Sequence, residues 1–306
     1  MKFVIAGGSG SLGQAVADHR AELGDDVVIL SRRSRPGATH RTVVWDGRTV
    51  GPWVSELDGA VLLNLAGELV DQRPTRKAIA RLISSRVEPT NALVEAAKTH
   101  APARWLQMST AAIYGDAGDD IIVEGHPVAD GPPQMTDVAI PWEEAAAPAA
   151  GLSSLAILRT GVVLQKDSPA LNRLTSVTRW GLGGAIAGGR QWTTWIHIDD
   201  FQAAVDALAD EDGIARGLEG PVHVCSPEPV RNSELMAALR RACHRPSWAP
   251  PTPRFAVRIG APILRTDASL ALTGRRCLPK RLTDAGFTFR FTDIDDALAD
   301  LLAGTY

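Results

Sequence analysis

The chain is short of tyrosine and lysine, two side chains that can carry a proton in catalysis. Its 306 residues include two tyrosines, Tyr114 and Tyr306, and five lysines, Lys2, Lys77, Lys98, Lys166 and Lys280. No lysine follows a tyrosine by four positions, so a Tyr-x-x-x-Lys pair is excluded in every register. Three cysteines, Cys225, Cys243 and Cys277, are odd in number, widely spaced and without a C-x-x-C pair. That argues against a disulfide framework and a zinc site, and a reducing cytoplasm is the expected compartment. No apolar run reaches membrane-spanning length. An apolar strand pattern begins at the second residue, which leaves no room for a charged leader. A formal charge of -3 gives no reason to expect a nucleic-acid or membrane partner, so small-molecule partners are expected.

What the chain does have is a 45% hydrophobic composition, enough for a full core. Short apolar runs recur along it: KFVIA, DVVIL, TVVW, AVLLNLAG, RWLQMS, LAILRTGVVL and PVHVCS. They are nearly continuous instead of alternating, as in strands covered by helices on both faces. Residues 14–23 and 75–98 lie between them with apolar positions near helical spacing, and Pro89 is expected to break or kink the second helix. The fold class is therefore α/β, a doubly wound parallel sheet of Rossmann type with a smaller C-terminal substrate lobe. Residues 1–164 with 195–225 form the dinucleotide domain in this reading, and residues 165–194 with 226–306 form the lobe. The Gly-, Pro- and Asp-rich stretch 116–141 reads as a long loop at the carboxyl ends of the strands, and Pro141, Trp142, Glu143 and Glu144 read as a helix start.

The first strand runs into Gly7-Gly8-Ser9-Gly10-Ser11-Leu12-Gly13 and then a helix. Gly7 permits a tight turn, Gly10 lets backbone amides approach a pyrophosphate, and Gly13 allows close helix–strand packing. The second strand ends in Ser31-Arg32-Arg33, where an NAD site would carry an acid for the ribose 2′-hydroxyl. Arginine offers a donor fork for a 2′-phosphate instead, so NADP is the expected cofactor, with Arg32 preferred and Arg33 second; Arg35 and Arg41 keep open a plain basic turn.

These residues, with NLAGE (64–68), STAAIYG (109–115), LRTGVVL (158–164) and RQWTTWIHIDD (190–200), resemble extended short-chain dehydrogenases/reductases. More narrowly, the chain resembles an atypical epimerase-like branch whose C-terminal region of unknown function is similar to LPKRLTDAGFTFRF (278–291). The resemblance implies cofactor contacts from Leu65, Ala66, Gly67 and Ser109 as well as from the glycine turn with Ser11 and Leu12. It places a substrate-holding hydroxyl at Thr110, four residues before Tyr114, and a diphosphate-binding arginine at Arg190. The family's catalytic tyrosine and lysine fall on Trp142 and Ala146, neither of which exchanges a proton or carries charge. By analogy, helices near 75–98 and 142–150 would pair two copies into a homodimer.

An NADP(H)-dependent oxidoreductase or epimerase would then need a nonstandard proton donor, on a small polar or nucleotide-linked substrate. Tyr114, Glu68 and His197 are the candidates, each with a structural alternative: a ring packed on the loop, an exposed acid, and a buried strand histidine. Glu143 and Glu144 are explained by the helix start, and Asp199 and Asp200 by capping the helix after them. Trp180, Trp192 and Trp195 offer stacking faces or core, and the basic residues of 274–281 offer either an anionic-ligand pocket or a solvated face. The alternative function is an inactive NADP(H)-binding sensor.

Overall fold

The computed structural model describes residues 1–34, 37–263 and 266–303; Arg35 and Tyr306 lie outside them. The first half alternates β1 (Lys2–Ala6), α1 (Ser11–Glu22), β2 (Asp26–Ser31), β3 (Arg41–Val44), β4 (Val61–Asn64), α2 (Arg76–Ala97) and β5 (Arg104–Thr110). There follow β6 (Ile121–Ile122), α3 (Thr136–Ala146), β7 (Ser154–Thr160), β8 (Val162–Leu164), α4 (Pro169–Val177), β9 (Trp192–Thr193), β10 (Trp195–His197), α5 (Ile198–Ala209) and β11 (Gly220–Val224). The chain closes with β12 (Val230–Arg231), α6 (Asn232–Ala242), α7 (Arg254–Ile263), α8 (Ser269–Leu272), β13 (Arg276–Cys277), α9 (Lys280–Asp284) and α10 (Ile294–Leu302).

The seven strands of the main sheet are the seven apolar runs, in the order β11-β7-β5-β4-β1-β2-β3 and parallel throughout. Strand order reverses between β1 and β4, and ligands of open α/β sheets sit at that reversal, beyond the carboxyl ends of the strands. Both faces are covered. Phe3, Ile5, Leu63, Leu106 and Leu158 pack on one side with Phe201 and Leu298, and Val4, Leu30, Leu62 and Trp105 pack on the other with Leu93 and Leu57. All of the strands except β3, which is half-exposed at the sheet edge, are largely buried, which is why most of the runs do not alternate.

Two helix boundaries differ from expectation. α2 is a single 22-residue helix that runs through Pro89, and Thr90 Oγ1 donates to the Arg86 carbonyl one turn back at 2.7 Å. α3 begins at Thr136, not at Pro141, so Pro141 sits inside it and Glu143 and Glu144 lie in its second half. A dipole at the helix start consequently does not explain Glu143. Asp199 and Asp200 are not the caps of α5 either: His197 Nδ1 accepts the Asp199 amide, and the Asp200 carboxylate accepts the amides of Arg290 and Phe291 at 2.7 and 2.9 Å. No described helix is long and apolar enough to cross a membrane.

Candidate functional site

The glycine turn is held by backbone crowding. Gly7 has φ +77°, and a Cβ there would lie 2.8 Å from Ala66 Cα in the loop after β4. A Cβ on Gly13 would lie 2.5 Å from Gly8 Cα. Gly10 is different, because a Cβ on it would meet only the Gly7 carbonyl, at 4.0 Å. Gly10 is also the N-cap of α1, with no side-chain cap bond and no acid in the first turn. Gly10 N reaches the Gly7 carbonyl at 3.4 Å, and among the described residues the first turn of α1 has no side-chain cap, an open cradle that an anionic group would complete.

Beside this turn a cleft of about 220 Å³ is lined by Ser9, Gln14, Ile29, Ser31, Arg33 and residues 37–40 with Thr42. Both Arg32 and Arg33 are exposed, and of the two Arg33 lines the cleft. Ser31 is buried, its Oγ accepting the Arg33 amide at 3.5 Å. On the other side of the turn, Ala66 N bonds Asn64 Oδ1, and Arg86 crowds Gly67 so closely that a Cβ on this glycine would fall 3.0 Å from the guanidinium carbon.

At the carboxyl ends of β5 and β7 lies a buried polar chain that the sequence did not reveal. Ser109 Oγ donates to Glu143 Oε1 at 2.5 Å, and Arg159 grips the same carboxylate with Nε at 2.9 Å and Nη2 at 2.7 Å. Arg159 Nη1 donates to Tyr114 Oη at 2.7 Å, which lies 2.7 Å from His223 Nε2. His223 Nδ1 is 2.9 Å from the Leu278 carbonyl. A carbonyl only accepts, so Nδ1 carries the hydrogen and Nε2 accepts from the tyrosine hydroxyl. Burial lowers the His223 pKa and keeps the ring neutral, consistent with that tautomer. Burial also pushes the Tyr114 phenol up to about 12, and Arg159 is held charged, its pKa raised by Glu143 against the cost of burial.

The sequence-derived candidates fall into three groups. Ser109 and Thr110 end β5, Thr110 Oγ1 accepting the Ala112 amide at 3.1 Å. Tyr114 is 1% exposed with its hydroxyl engaged by Arg159 and His223, and Ser109 is 2% exposed with its hydroxyl on Glu143. Trp142 and Ala146 are buried, and the Arg86 guanidinium sits 5.0 Å from the Trp142 ring centre. Away from this group, Glu68 pairs with Arg81 at 2.7 Å. His197 is a buried cap stacked on Phe291, with ring centres 3.9 Å apart. Arg190 is exposed. Among the tryptophans, Trp195 is core and Trp180 is exposed, while Trp192 lies between the guanidiniums of Arg231 and Arg276.

A sequence profile of the NAD dependent epimerase/dehydratase family matches residues 3–136, and one of a domain of unknown function matches residues 252–301. An epimerase family protein of Mycobacterium leprae, ML0860, is 30% identical over 301 residues, covering 96% of this chain and 94% of that protein. The chain belongs to this epimerase family. Its fold is that of the extended short-chain dehydrogenases/reductases. The crystal structure of human epimerase family protein SDR39U1 (isoform2) with NADPH superposes with a TM-score of 0.86 at 25% identity, covering 99% of this chain and all of that one. The nucleoside-diphosphate sugar epimerase from Corynebacterium glutamicum matches with a TM-score of 0.75 at 31% identity, over 98% of this chain and 57% of that chain.

Arg159 and His223 were the functional-region residues that sequence reasoning missed. The available signal was a charged or titratable residue inside a strand covered on both faces, which must find a partner.

Proposed function

We propose that this family member is an NADP(H)-binding protein of oxidoreductase or epimerase type, in which Ser109 and Glu143 form the proton-exchange pair. The cofactor part rests on the uncapped first turn of α1 beside the Gly10 cradle, with Ser31 and Arg33 lining the adjoining cleft. Ser11, Leu12, Leu65, Ala66 and Gly67 border the same crevice in this reading. The human relative's complex with NADPH supports the choice of a phosphorylated dinucleotide. When bound, the nicotinamide supplies hydride exchange.

The observation carrying the proton assignment is the 2.5 Å hydrogen bond from Ser109 to Glu143 at the end of β5, with Trp142 where a tyrosine would stand. For oxidation of an alcohol, the substrate hydroxyl would give its proton to Ser109 Oγ as Ser109 passes its own to the Glu143 carboxylate, and the hydride from the alcohol carbon would go to the oxidised nicotinamide; reduction would be the reverse. Thr110 orients the substrate oxygen, Arg159 keeps Glu143 in place, and the exposed Arg190 meets an anionic part of a small polar or nucleotide-linked substrate.

The test is nicotinamide absorbance with a panel of carbonyl compounds and sugar nucleotides. Turnover by the native protein should fall at least about tenfold in kcat for Glu143→Gln, with NADPH affinity retained. A second reading, an NADP(H) sensor without turnover, is favoured by the locked Tyr114 hydroxyl and the buried Trp142. Tight NADPH binding with no consumption across the panel would select it.

A further inference from the structure

Arg86 is a buried cation with no ion pair to a carboxylate among the described residues. It projects from the middle of α2 and is 8% exposed. Its Nη1 donates to the Leu82 carbonyl at 3.1 Å and Ser85 Oγ at 3.3 Å, and its Nη2 donates to the Glu68 carbonyl at 2.8 Å. Every one of those acceptors is neutral. Glu68, whose charge Arg86 feels without an ion pair, turns its carboxylate to Arg81 at 2.7 Å. Among the described residues no ion pair involves Arg86, whose remaining neighbour is the face of Trp142.

Its place in the fold gives this charge a direction. Gly7 abuts Ala66 in the loop after β4, Gly67 follows, and Arg86 crowds Gly67 from behind. The guanidinium therefore stands one loop's thickness from the crevice where the strand order reverses. A second feature lies beside it: Trp142 Nε1 is buried and finds no acceptor among the described residues. A cation over the ring face polarises the indole N–H outward and makes it a stronger donor. Retaining an unbalanced buried cation costs stability, and its pKa is pushed down to about 10 by burial, so a compensating function is expected of it.

We propose that Arg86, stacked on Trp142, makes the crevice discriminate between redox states of the dinucleotide, favouring NADPH over NADP+. The inference rests on the cofactor reading above. The oxidised nicotinamide ring carries a positive charge that the reduced ring lacks, so a fixed cation behind the loop repels only the oxidised form. Coulomb interaction at partial burial gives a preference on the order of tenfold or more. The phosphates and the adenosine half are common to both forms and cancel from the ratio.

The experiment is titration of the native protein with NADPH and with NADP+ separately, by cofactor fluorescence and calorimetry, followed by three variants. Native protein should bind NADPH at least about tenfold more tightly. Arg86→Lys keeps the charge and should keep most of the ratio. Arg86→Met should bring it towards one, chiefly by strengthening NADP+ binding. Trp142→Phe keeps the stacked ring and should keep a ratio well above one. Equal affinity of the native protein for both forms overturns the proposal without touching the cofactor reading, and so does Arg86→Met weakening both forms alike. Binding of neither form by native protein sinks the cofactor reading itself. Should Arg86→Met fail to fold, the native ratio and Arg86→Lys still decide: loss of the ratio in a folded Lys variant would refute a charge effect.

Discussion

Replacing Tyr114 by phenylalanine separates a catalytic tyrosine from a structural one. The substitution removes a single oxygen that is 1% exposed as part of its residue, accepts from Arg159 Nη1 at 2.7 Å and donates to His223 Nε2 at 2.7 Å. Neither partner has water to turn to. A buried acceptor left without its donor costs about 1–3 kcal/mol, and a charged donor left without an acceptor costs a similar amount. Phenylalanine keeps the ring volume and the edge contact with His223, whose ring centre is 5.4 Å away, so no cavity adds to the loss. The expected destabilisation is about 2–4 kcal/mol, read by urea or thermal unfolding and equivalent to a drop on the order of 5 °C or more in Tm. NADPH affinity should stay within about twofold, because the hydroxyl has no free direction in which to meet a ligand. A variant of unchanged stability that loses turnover would refute the reasoning and return Tyr114 to the reacting atoms.

Arg33→Ala should weaken NADPH at least about tenfold while leaving NADH nearly unchanged, and Arg32→Ala should do much less; paired fluorescence titrations check both, and the reverse ranking would put the 2′-phosphate outside the cleft. Gly13→Ala should cost about 1–3 kcal/mol in unfolding free energy, because its Cβ would meet Gly8 Cα at 2.5 Å and neither backbone can give way cheaply. Burial lowers the pKa of both His197 and His223 below the ordinary 6.5. The unfolded chain then binds protons that the folded chain refuses, so their contribution is complete above pH 6.5 and is lost as pH falls below it, by up to about 1.4 kcal/mol per pH unit for each ring. Urea midpoints from pH 7.5 to 5 should fall, with a smaller fall for His223→Gln, and a flat profile would contradict the neutral assignment.

The sheet was legible because burial leaves a direct trace: a strand with little water to meet is mostly apolar, and each apolar run supplied one strand of the main sheet, with Arg104, Gln107, Arg159 and His223 as buried polar exceptions. The glycine turn was legible for a similar reason, since close backbone approach at Gly7 and Gly13 tolerates no other residue. Helix starts were less so. Proline at Pro141 has the signature of a first turn, yet α3 had already begun at Thr136 and the chain accommodated the missing amide inside it. The polar chain from Ser109 to Leu278 left almost no trace, because its members come from β5, α3, β7 and β11 and meet only when the sheet assembles. Arg159 lies within the run LAILRTGVVL and His223 within PVHVCS, and neither run shows which buried partner its polar residue meets. Sequence alone did not separate Arg32 from Arg33; of the two, Arg33 lines the cleft beside the glycine turn.

Calorimetric titration of the native protein with NADPH, in the presence of rival adenosine fragments, tests the phosphorylated-dinucleotide site most directly. One saturable site per chain is predicted, competed strongly by adenosine 2′,5′-bisphosphate and weakly by adenosine 5′-monophosphate. No heat of binding, or equal competition by the two fragments, would contradict it.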